Sequence, residues 1–461
     1  MIDFSSMHVQ DLLTPEGFVC ECGKIHKTDL MIALIGSGVV QKIAEVVRKL
    51  NCRKPFIVYD LNTYDAAGKI VEDVLEKNGI EMSRMCFNTR ARLMPAEWEL
   101  GSIIMHFDPS CDLILGVGGG VINDLCKIIG KAVRLPTAIV ATAPSMDGFA
   151  SNSGAMEVNN IKTTLYTPVP SAVICDTDIL CEAPLRMIWA GIGDMVAKFV
   201  SIFDWRISHL VNGEYYCQAI ADIMRKARNA AAENMEKALQ RDKEAIAAIV
   251  EGLVLAGIAM SFSGVSRPAS GLEHCFSHIW EMMALERGCS YDLHGIQVGV
   301  GTSLASYALS AWRKWLSDSE NTKNADLSFD RQAWEDNVRR VFGNSAGELI
   351  ASANKSGRND PRARRKRAET IIENREEILK IMDEELASLE EIIVKMKTLG
   401  IPTMPSQIGI SDTDALDAFV CSRDIRDRYL STSMMWDAGA LQVIAKDMKM
   451  YLENEVAVRV L

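Results

Sequence analysis

The sequence has no surplus of basic residues and no obvious apolar run of membrane-spanning length. It contains 50 lysines and arginines against 61 aspartates and glutamates, which gives a formal net charge of −11. This balance argues against a surface built mainly for nucleic acid, although it leaves room for a local basic site that binds a phosphorylated metabolite. Apolar runs such as residues 138–141 are far shorter than the roughly 20 residues needed to cross a bilayer. We therefore expect no membrane span and no nucleic-acid partner.

The sequence also shows no secretory leader ahead of its cysteines. The 12 cysteines are scattered from Cys20 to Cys421, a distribution that fits free thiols in a reducing cytosol better than a disulfide framework. A cytoplasmic location is the expectation that follows.

Three of the potential metal ligands form a short cluster near the start of the chain. Cys20, Cys22 and His26 have the spacing C-x-C…H, but no fourth ligand is obvious. A turn with packed thiols is therefore favoured over a structural zinc site.

The first part of the chain, from residue 31 to about 176, alternates short β-branched segments with amphipathic ones. This alternation is typical of a parallel sheet wrapped by helices. Predicted strands cover residues 32–35, 55–59, 112–115, 137–141 and 172–175, and predicted helices cover residues 41–50 and 66–78. Beyond Pro184 the strand pattern nearly vanishes and helices are predicted. We expect an α/β dinucleotide-binding domain of residues 1–184 and a helical metal- and substrate-binding domain of residues 185–461.

A highly charged stretch lies in the helical half, between about residues 311 and 390. It contains the basic run 362–367 followed by acidic residues, and neighbouring carboxylates cancel the field of such a run. We interpret the stretch as a solvated helical insertion rather than a nucleic-acid patch.

A glycine-rich segment follows one of the predicted strands. Residues 113–124 read LILGVGGGVIND, so three consecutive glycines separate an apolar strand from a helical pattern. Glycines let the backbone approach a ligand closely, and a helix start directs free N–H groups at an anion. The segment indicates a pyrophosphate site, with a tight structural turn as the equal alternative.

Asp60 ends another predicted strand. Its carboxylate would bind an adenosine ribose and repel a 2′-phosphate, which favours NAD over NADP. Aspartates at strand ends are also common helix caps, and this alternative stays open.

Three separate segments each carry one possible catalytic metal ligand. Gly191-Ile-Gly-Asp194 places a carboxylate at a glycine-rich turn before a predicted helix of residues 195–203. His274 and His278 are four residues apart and so share one helical face, and His294 precedes another glycine. One carboxylate and two imidazoles make a zinc-type site with an open position, and spacing alone does not exclude His278 as a ligand. The remaining histidines are interpreted as packed or surface residues: His8, His26, His106 and His209.

Taken in order, these motifs resemble the glycerol-1-phosphate dehydrogenases, and in particular their bacterial branch. The matching segments are Gly118–Gly120 with Asp124, Thr142-Ala-Pro-Ser145-Met-Asp147-Gly148 with Ser151, Gly191-Ile-Gly-Asp194, Ser266-Arg-Pro-Ala-Ser-Gly-Leu-Glu-His274 with His278, and His294-Gly295. The superfamily also holds glycerol dehydrogenase, iron-containing alcohol dehydrogenases and dehydroquinate synthase. The similarity covers roughly residues 30–310 and returns at Asp437-Ala-Gly-Ala.

The resemblance implies a fold, a ligand set and a set of binding residues. The fold is a Rossmann-like nucleotide domain followed by an all-α metal-binding domain, as in dehydroquinate synthase. Asp194, His274 and His294 would be the catalytic metal ligands, and Asp147, Asp194 and His278 would bind substrate. Together with Asp60, the residues expected to bind the dinucleotide are Gly118, Gly119, Gly120, Val121, Ile122, Asn123, Asp124, Thr142, Ser145 and Ser151.

The implied reaction is the reversible reduction of dihydroxyacetone phosphate to sn-glycerol 1-phosphate, a step of phospholipid metabolism. NADH is the expected reductant with NADPH possible, and one divalent metal, zinc expected and nickel or iron possible, would act as Lewis acid. A homo-oligomer is expected. Arg267 and Lys162 are the candidate phosphate contacts, because both can form charge-assisted hydrogen bonds.

Other activities within and outside the superfamily serve as alternatives. Dehydroquinate synthases are expected to carry glutamate at Asp194, and iron-type alcohol dehydrogenases histidine at Lys198, so both are disfavoured. Glycerol dehydrogenase, acting on unphosphorylated glycerol or dihydroxyacetone, shares the three-ligand pattern. A lyase would use NAD without net turnover, and a non-catalytic nucleotide-binding protein would not need the aspartate and two histidines.

Overall fold

The computed structural model describes residues 4–158, 161–323 and 326–460. The chain divides into two compact units. The first unit is formed by residues 1–196 and 217–269, and the second by residues 197–216 and 270–461. A single boundary after residue 184 was predicted, whereas the two units interleave along the chain.

Strands occur in the first unit, and all the predicted ones are confirmed. In chain order the described residues contain β1 Phe18–Val19, β2 Ile25–His26, β3 Ile32–Gly36, β4 Pro55–Asp60, β5 Ser83–Phe87, β6 Leu113–Gly118, β7 Thr137–Ala141, β8 Ser153–Val158, β9 Ile161–Tyr166 and β10 Ala172–Asp176. Six form one parallel sheet in the order β3-β10-β7-β6-β4-β5. The pairs β1–β2 and β8–β9 are antiparallel hairpins. Five strands were not predicted from the sequence: β1, β2, β5, β8 and β9. Of these, β5 is an edge strand of the parallel sheet and is only partly apolar.

Both faces of the parallel sheet are covered by helices. On β4, Ile57 packs into a cluster with Val47 and Leu75, while its neighbour Phe56 packs on the other face with Leu125. Successive side chains of a strand point to opposite faces, so a strand covered on both sides has to be apolar throughout. This arrangement explains the uninterrupted β-branched runs in the sequence.

The helices are distributed over both units. In chain order the first ten are α1 Ile43–Lys49, α2 Leu61–Thr63, α3 Lys69–Lys77, α4 Glu97–His106, α5 Gly120–Val133, α6 Thr177–Leu180, α7 Leu185–Val196, α8 Lys198–Asn212, α9 Gln218–Leu239 and α10 Lys243–Ser263. The others described are α11 Leu272–Glu286, α12 His294–Ser317, α13 Ser319–Lys323, α14 Arg331–Phe342, α15 Ala346–Ser356, α16 Pro361–Glu373, α17 Arg375–Leu386, α18 Leu389–Thr398, α19 Asp412–Cys421, α20 Ser431–Asp437 and α21 Leu441–Val460. The predicted change from α/β to helical texture is confirmed.

One helix of the first unit is more apolar than the sequence analysis recognised. Among the described residues, α10 is the one helix whose length and composition would allow it to cross a membrane, and 78% of its apolar window is buried inside the protein. Glu251 interrupts the run in sequence, which is why the stretch was overlooked. Burial against its neighbours is the arrangement of a core helix.

The interpretation of the basic run 362–367 as a solvated face is wrong in part. Arg364 is only 3% exposed, and its guanidinium carbon lies 3.8 Å from the centre of the Trp436 ring. Burial lowers the pKa of Arg364 to about 10, so it stays charged at pH 7. Arg367 Nε donates to Asp437 Oδ2 at 2.7 Å. Both partners lie some 70 residues further along the chain, where local charge patterning gives no signal.

Candidate active site

The first unit has a topological switch point in its parallel sheet, between β4 and β6. From β4 the chain proceeds outward to β5, then returns to β6 and continues in the other direction through β7 and β10. Open α/β sheets bind ligands outside the carboxyl ends of the strands at such a point. Asp60 ends β4 and Gly118 ends β6. The sequence-predicted nucleotide residues therefore flank the place where this topology favours a ligand.

The glycine turn after β6 is the predicted strand-to-helix junction. Gly118 ends the strand and Gly120 begins α5. A Cβ atom on Gly118 would lie 2.7 Å from Ile122, which is closer than side chains tolerate. The side chains of Ile122 and Asn123 are buried, so the backbone N–H groups of the first helical turn are what the segment can offer to an anion.

The loop after β7 is tied to this turn. Thr142 N donates to Gly118 O at 3.2 Å, and a Cβ atom on Gly119 would lie 3.8 Å from Ser145 Oγ. Ser151 is buried, and its hydroxyl donates to Gly148 O at 3.0 Å. Three of the predicted cofactor residues, Thr142, Ser145 and Ser151, are thus held on one loop beside the glycines.

A buried lysine that the sequence analysis missed organises this loop. Lys127 is 1% exposed. Its Nζ donates to Gly148 O at 3.0 Å and Ser151 Oγ at 3.2 Å, and it pairs with Asp124 at 3.1 Å. Asp124 also accepts from Ala155 N at 3.0 Å. Asp124 therefore joins the helix to the hairpin β8–β9, and its spacing of three residues from Lys127 was the available signal.

Asp60 acts as a helix cap, one of the two roles left open by the sequence. Its Oδ1 accepts from Thr63 N at 2.8 Å at the start of α2. The side chain is 8% exposed. Capping occupies one carboxylate oxygen, and the same residue stands at the switch point.

The carboxylate of Asp194 lies inside a helix, not at the turn that the sequence analysis predicted. Residues Gly191 to Asp194 belong to α7, and Asp194 is fully buried. A Cβ atom on Gly191 would overlap the carbonyl oxygen of Pro144, so this glycine allows close helix packing rather than a turn. Asp147 N donates to Asp194 Oδ2 at 3.0 Å. The first unit thus brings two predicted substrate-binding residues together.

In the second unit, three histidines come together in what we call the histidine cluster: His274, His278 and His294. The first two lie on α11 and the third begins α12. Their ring centres are 5.3 to 6.3 Å apart. All three were predicted for one site, and the second unit places them together.

Hydrogen bonds set the orientation of two of these imidazoles. His274 Nδ1 lies 2.7 Å from Oε1 of the buried Glu273, and His294 Nδ1 lies 3.0 Å from Ser277 Oγ. An ionised carboxylate only accepts, so the neutral His274 ring carries its proton on Nδ1 and its lone pair on Nε2, as is usual for a metal-bound histidine. Neither Glu273 nor Ser277 was singled out from the sequence, although each is adjacent in the helix to a predicted residue.

His278 has a different environment. Arg426 Nη2 donates to His278 Nε2 at 3.0 Å. Burial, reinforced by the Arg426 charge, lowers the pKa of His278 well below its usual value, so the ring is neutral at pH 7. His278, Glu281 and His294 also offer three mutually close ligand atoms. The structure therefore keeps open the role of His278 as a ligand and adds Glu281 to the candidates.

The remaining predicted residues occupy well-defined places. Arg267 is buried in the first unit, and Lys162 lies half-buried on β9. Asp437 is fully buried and binds Arg367 and the Tyr429 hydroxyl. His8, His106 and His209 are exposed, in agreement with their interpretation as packed or surface residues, and their partners are Glu251, Ser102 O and Glu214 O.

Comparison with known proteins gives consistent similarities. The family described as iron-containing alcohol dehydrogenase matches residues 34–184. A glycerol-1-phosphate dehydrogenase [NAD(P)+] of Halalkalibacterium halodurans is 34% identical over 290 residues, covering 62% of this chain and 73% of that protein. One of Geobacillus thermodenitrificans is 31% identical, covering 72% and 82%. A crystal structure of a probable glycerol dehydrogenase from Sinorhizobium meliloti superposes with a TM-score of 0.57 at 16% identity, covering 91% of this chain and 97% of the other.

Proposed function

Because the chain belongs to the glycerol-1-phosphate dehydrogenase family, we propose that it reversibly reduces dihydroxyacetone phosphate to sn-glycerol 1-phosphate. It is an oxidoreductase that uses NAD(P) and a metal ion. One observation of the structure supports this activity above the others. In the histidine cluster, His274 Nδ1 lies 2.7 Å from Glu273 Oε1 and His294 Nδ1 lies 3.0 Å from Ser277 Oγ, contacts of the kind that orient metal-bound histidines.

Asp194, His274 and His294 are the proposed ligands of the catalytic metal. A carboxylate and two neutral imidazoles suit zinc, with nickel or iron as alternatives, and three protein ligands leave a position for substrate. The buried carboxylate of Asp194 and the Nδ1 contacts of both histidines support this choice. The competing set of His278, Glu281 and His294 predicts a metal that survives substitution of Asp194.

The nucleotide is proposed to bind at the switch point, with its pyrophosphate at the start of α5. Gly118 and Gly119 provide the close approach, and Lys127 holds the neighbouring loop through Gly148 and Ser151. When bound, the metal would polarise the ketone oxygen and the nicotinamide would supply hydride. The residues of the chain then position the reactants, which is a large part of the rate enhancement.

The substrate is proposed to contact Asp147 and His278. Since His278 is neutral, it contributes a hydrogen bond rather than a charge. Arg426 donates to this histidine, so a cation stands beside a proposed substrate-binding residue within the second unit. A guanidinium suits a phosphate because it can donate two parallel hydrogen bonds. We propose Arg426 as a phosphate contact, alongside the sequence-based candidates Arg267 and Lys162.

The decisive experiment compares two ketones that differ in the phosphate. NADH oxidation is measured with dihydroxyacetone phosphate and with dihydroxyacetone, and the product is identified with an enantiospecific assay. We expect the phosphorylated ketone to react more efficiently by orders of magnitude and the product to be the 1-phosphate. Similar efficiencies would favour glycerol dehydrogenase, and cofactor binding without net NADH turnover would favour a lyase. A cytoplasmic location and a homo-oligomeric state remain predictions for cell fractionation and light scattering.

A further inference from the structure

A second potential metal site lies in the first unit, in what we call the thiol cluster: Cys20, Cys22, His26 and Cys217. Each residue offers one ligand atom, and the four atoms lie within 4.8 Å of one another. The first three residues form the C-x-C…H cluster noted in the sequence, where no fourth ligand is obvious. Cys217 lies 191 residues beyond His26, so sequence spacing gave no hint of it.

Two elements of the fold present these ligands. Cys20 and Cys22 stand in the turn of the hairpin β1–β2, and His26 ends β2. The turn is closed by Gly23 N donating to Cys20 O at 3.0 Å, and Gly23 has φ +83°, a conformation that favours glycine. Cys217 is the N-cap residue of α9 and makes no capping hydrogen bond through its side chain.

The distances match a tetrahedral site. Cys20 Sγ lies 3.6 Å from Cys217 Sγ, and His26 Nε2 lies 3.3 Å from Cys22 Sγ and 3.4 Å from Cys217 Sγ. With Zn–S of about 2.3 Å and Zn–N of about 2.0–2.1 Å, tetrahedral geometry places sulfurs about 3.8 Å apart and sulfur and nitrogen about 3.6 Å apart. The sulfur separation is also far longer than the roughly 2.05 Å of a disulfide. The three measured edges therefore fit a cation better than a covalent link.

The imidazole of His26 is oriented for coordination. Its Nδ1 lies 3.1 Å from the carbonyl oxygen of Phe262. An Nδ1–H donated to that carbonyl fixes the tautomer that leaves Nε2 unprotonated toward the sulfurs, as is usual for a metal-bound histidine. The ring is fully buried and stacks on Phe262 at 5.7 Å. Phe4 packs against both rings and excludes water from that side.

We propose that the thiol cluster binds a structural zinc ion, distinct from the catalytic metal. Three thiolates and one imidazole fill all four tetrahedral positions, and a site without an open position is structural. The ion would fasten the hairpin β1–β2 to the start of α9. A nearby contact also joins the N-terminal segment to α9, because Lys226 Nζ donates to Met7 O at 2.6 Å. Removal of the ion should loosen the N-terminal segment.

The test separates this ion from the catalytic one. A His294→Ala variant, which removes a ligand of both candidate catalytic sets, is purified in the presence of zinc and dialysed. It is then analysed for metal content and by X-ray absorption at the zinc edge. We expect about one zinc per chain with Zn–S distances of about 2.3 Å. Adding Cys217→Ser should remove that zinc, whereas adding Cys52→Ser, which changes another buried thiol of the same unit, should retain it.

A measurement on the unsubstituted protein guards against misfolding of the variants. The number of thiols that react with a thiol reagent is measured before and after addition of a strong chelator. In a separate experiment, the absorption spectrum of the cobalt-substituted protein is recorded. Release of three extra reactive thiols by the chelator, and thiolate-to-cobalt absorption, would support the proposal. A His294→Ala protein without zinc, a zinc shell of nitrogen and oxygen alone, thiols that react equally with and without chelator, or a Cys20–Cys217 disulfide would each overturn it. None of these outcomes depends on the proposed dehydrogenase activity.

Discussion

The thiol cluster and the proposed catalytic site, which includes two residues of the histidine cluster, differ in the number of metal ligands that the chain supplies. In both, a histidine engages Nδ1 with a protein oxygen: His26 with Phe262 O, and His274 with Glu273 Oε1. In the thiol cluster, however, three sulfurs complete a four-donor set. The proposed catalytic set has three protein donors and therefore keeps one position open. Closed sets of donors stabilise a fold, whereas an open position permits chemistry.

Removing a ligand from the proposed catalytic metal site should have the largest effect on activity. Asp194→Ala, His274→Ala and His294→Ala are each expected to reduce kcat to background, because the loss of one of three ligands weakens the site and misplaces the Lewis acid. Steady-state kinetics and metal analysis on the same preparations measure this. His209→Ala, which changes an exposed histidine outside the histidine cluster, is the matched control. Full activity of exhaustively demetallated protein would contradict the assignment.

The next effect concerns Arg426, the cation beside His278. Arg426→Ala should lower kcat/KM for dihydroxyacetone phosphate by about tenfold to a hundredfold, since a charge-assisted hydrogen bond contributes about 1.5–3 kcal/mol. The activity with dihydroxyacetone should change little. Arg287→Ala, which removes an arginine paired with Asp414 in the same unit, is the control. An equal loss for both ketones would show that Arg426 positions His278 rather than binding phosphate.

The difference between local patterns and contacts between distant segments explains how much of the structure could be predicted from the sequence. The predicted strands and the glycine turn were found because a doubly covered strand and a strand-to-helix junction leave local patterns in the chain. Asp194 was assigned to a turn because Gly191 and Gly193 resemble one, whereas Gly191 is required by contact with Pro144. That contact joins distant segments and leaves no local signal.

Roles that depend on partners distant in sequence were also not predicted. Cys217 and Arg426 each acquire a role from a residue that is remote in sequence. The proposed catalytic histidines were nevertheless singled out from the sequence, because their order along the chain follows a family pattern. Three-dimensional closure of a donor set, by contrast, could be seen only in the folded protein.

Replacing a buried arginine that has several protein partners should lower the stability of the fold without lowering catalytic activity. Arg364 stacks on Trp436 and donates to Leu327 O at 2.8 Å and Ser328 O at 3.0 Å. We expect Arg364→Ala to lower the free energy of unfolding by about 2–3 kcal/mol. Its exposed neighbour Arg365 is the control, and Arg365→Ala should change that free energy by less than about 0.5 kcal/mol. Equal denaturation midpoints for the two variants would contradict the burial of Arg364.

The smallest effect, on cofactor preference, is expected at Asp60, where one carboxylate oxygen caps a helix and the other is proposed to bind a ribose. Oδ1 caps α2 through Thr63 N, while the residue ends β4 at the switch point, where a ribose is proposed to bind. The unsubstituted enzyme should prefer NADH to NADPH, because a carboxylate repels a 2′-phosphate. Two unit charges about 4 Å apart in water interact by about 1 kcal/mol, so Asp60→Asn should narrow the preference about fivefold. Asparagine keeps an oxygen that can cap the helix, and an unchanged melting temperature would verify that the cap survives. Comparison of kcat/KM for both cofactors measures the effect, and equal efficiency with NADH and NADPH before substitution would show that Asp60 only caps the helix.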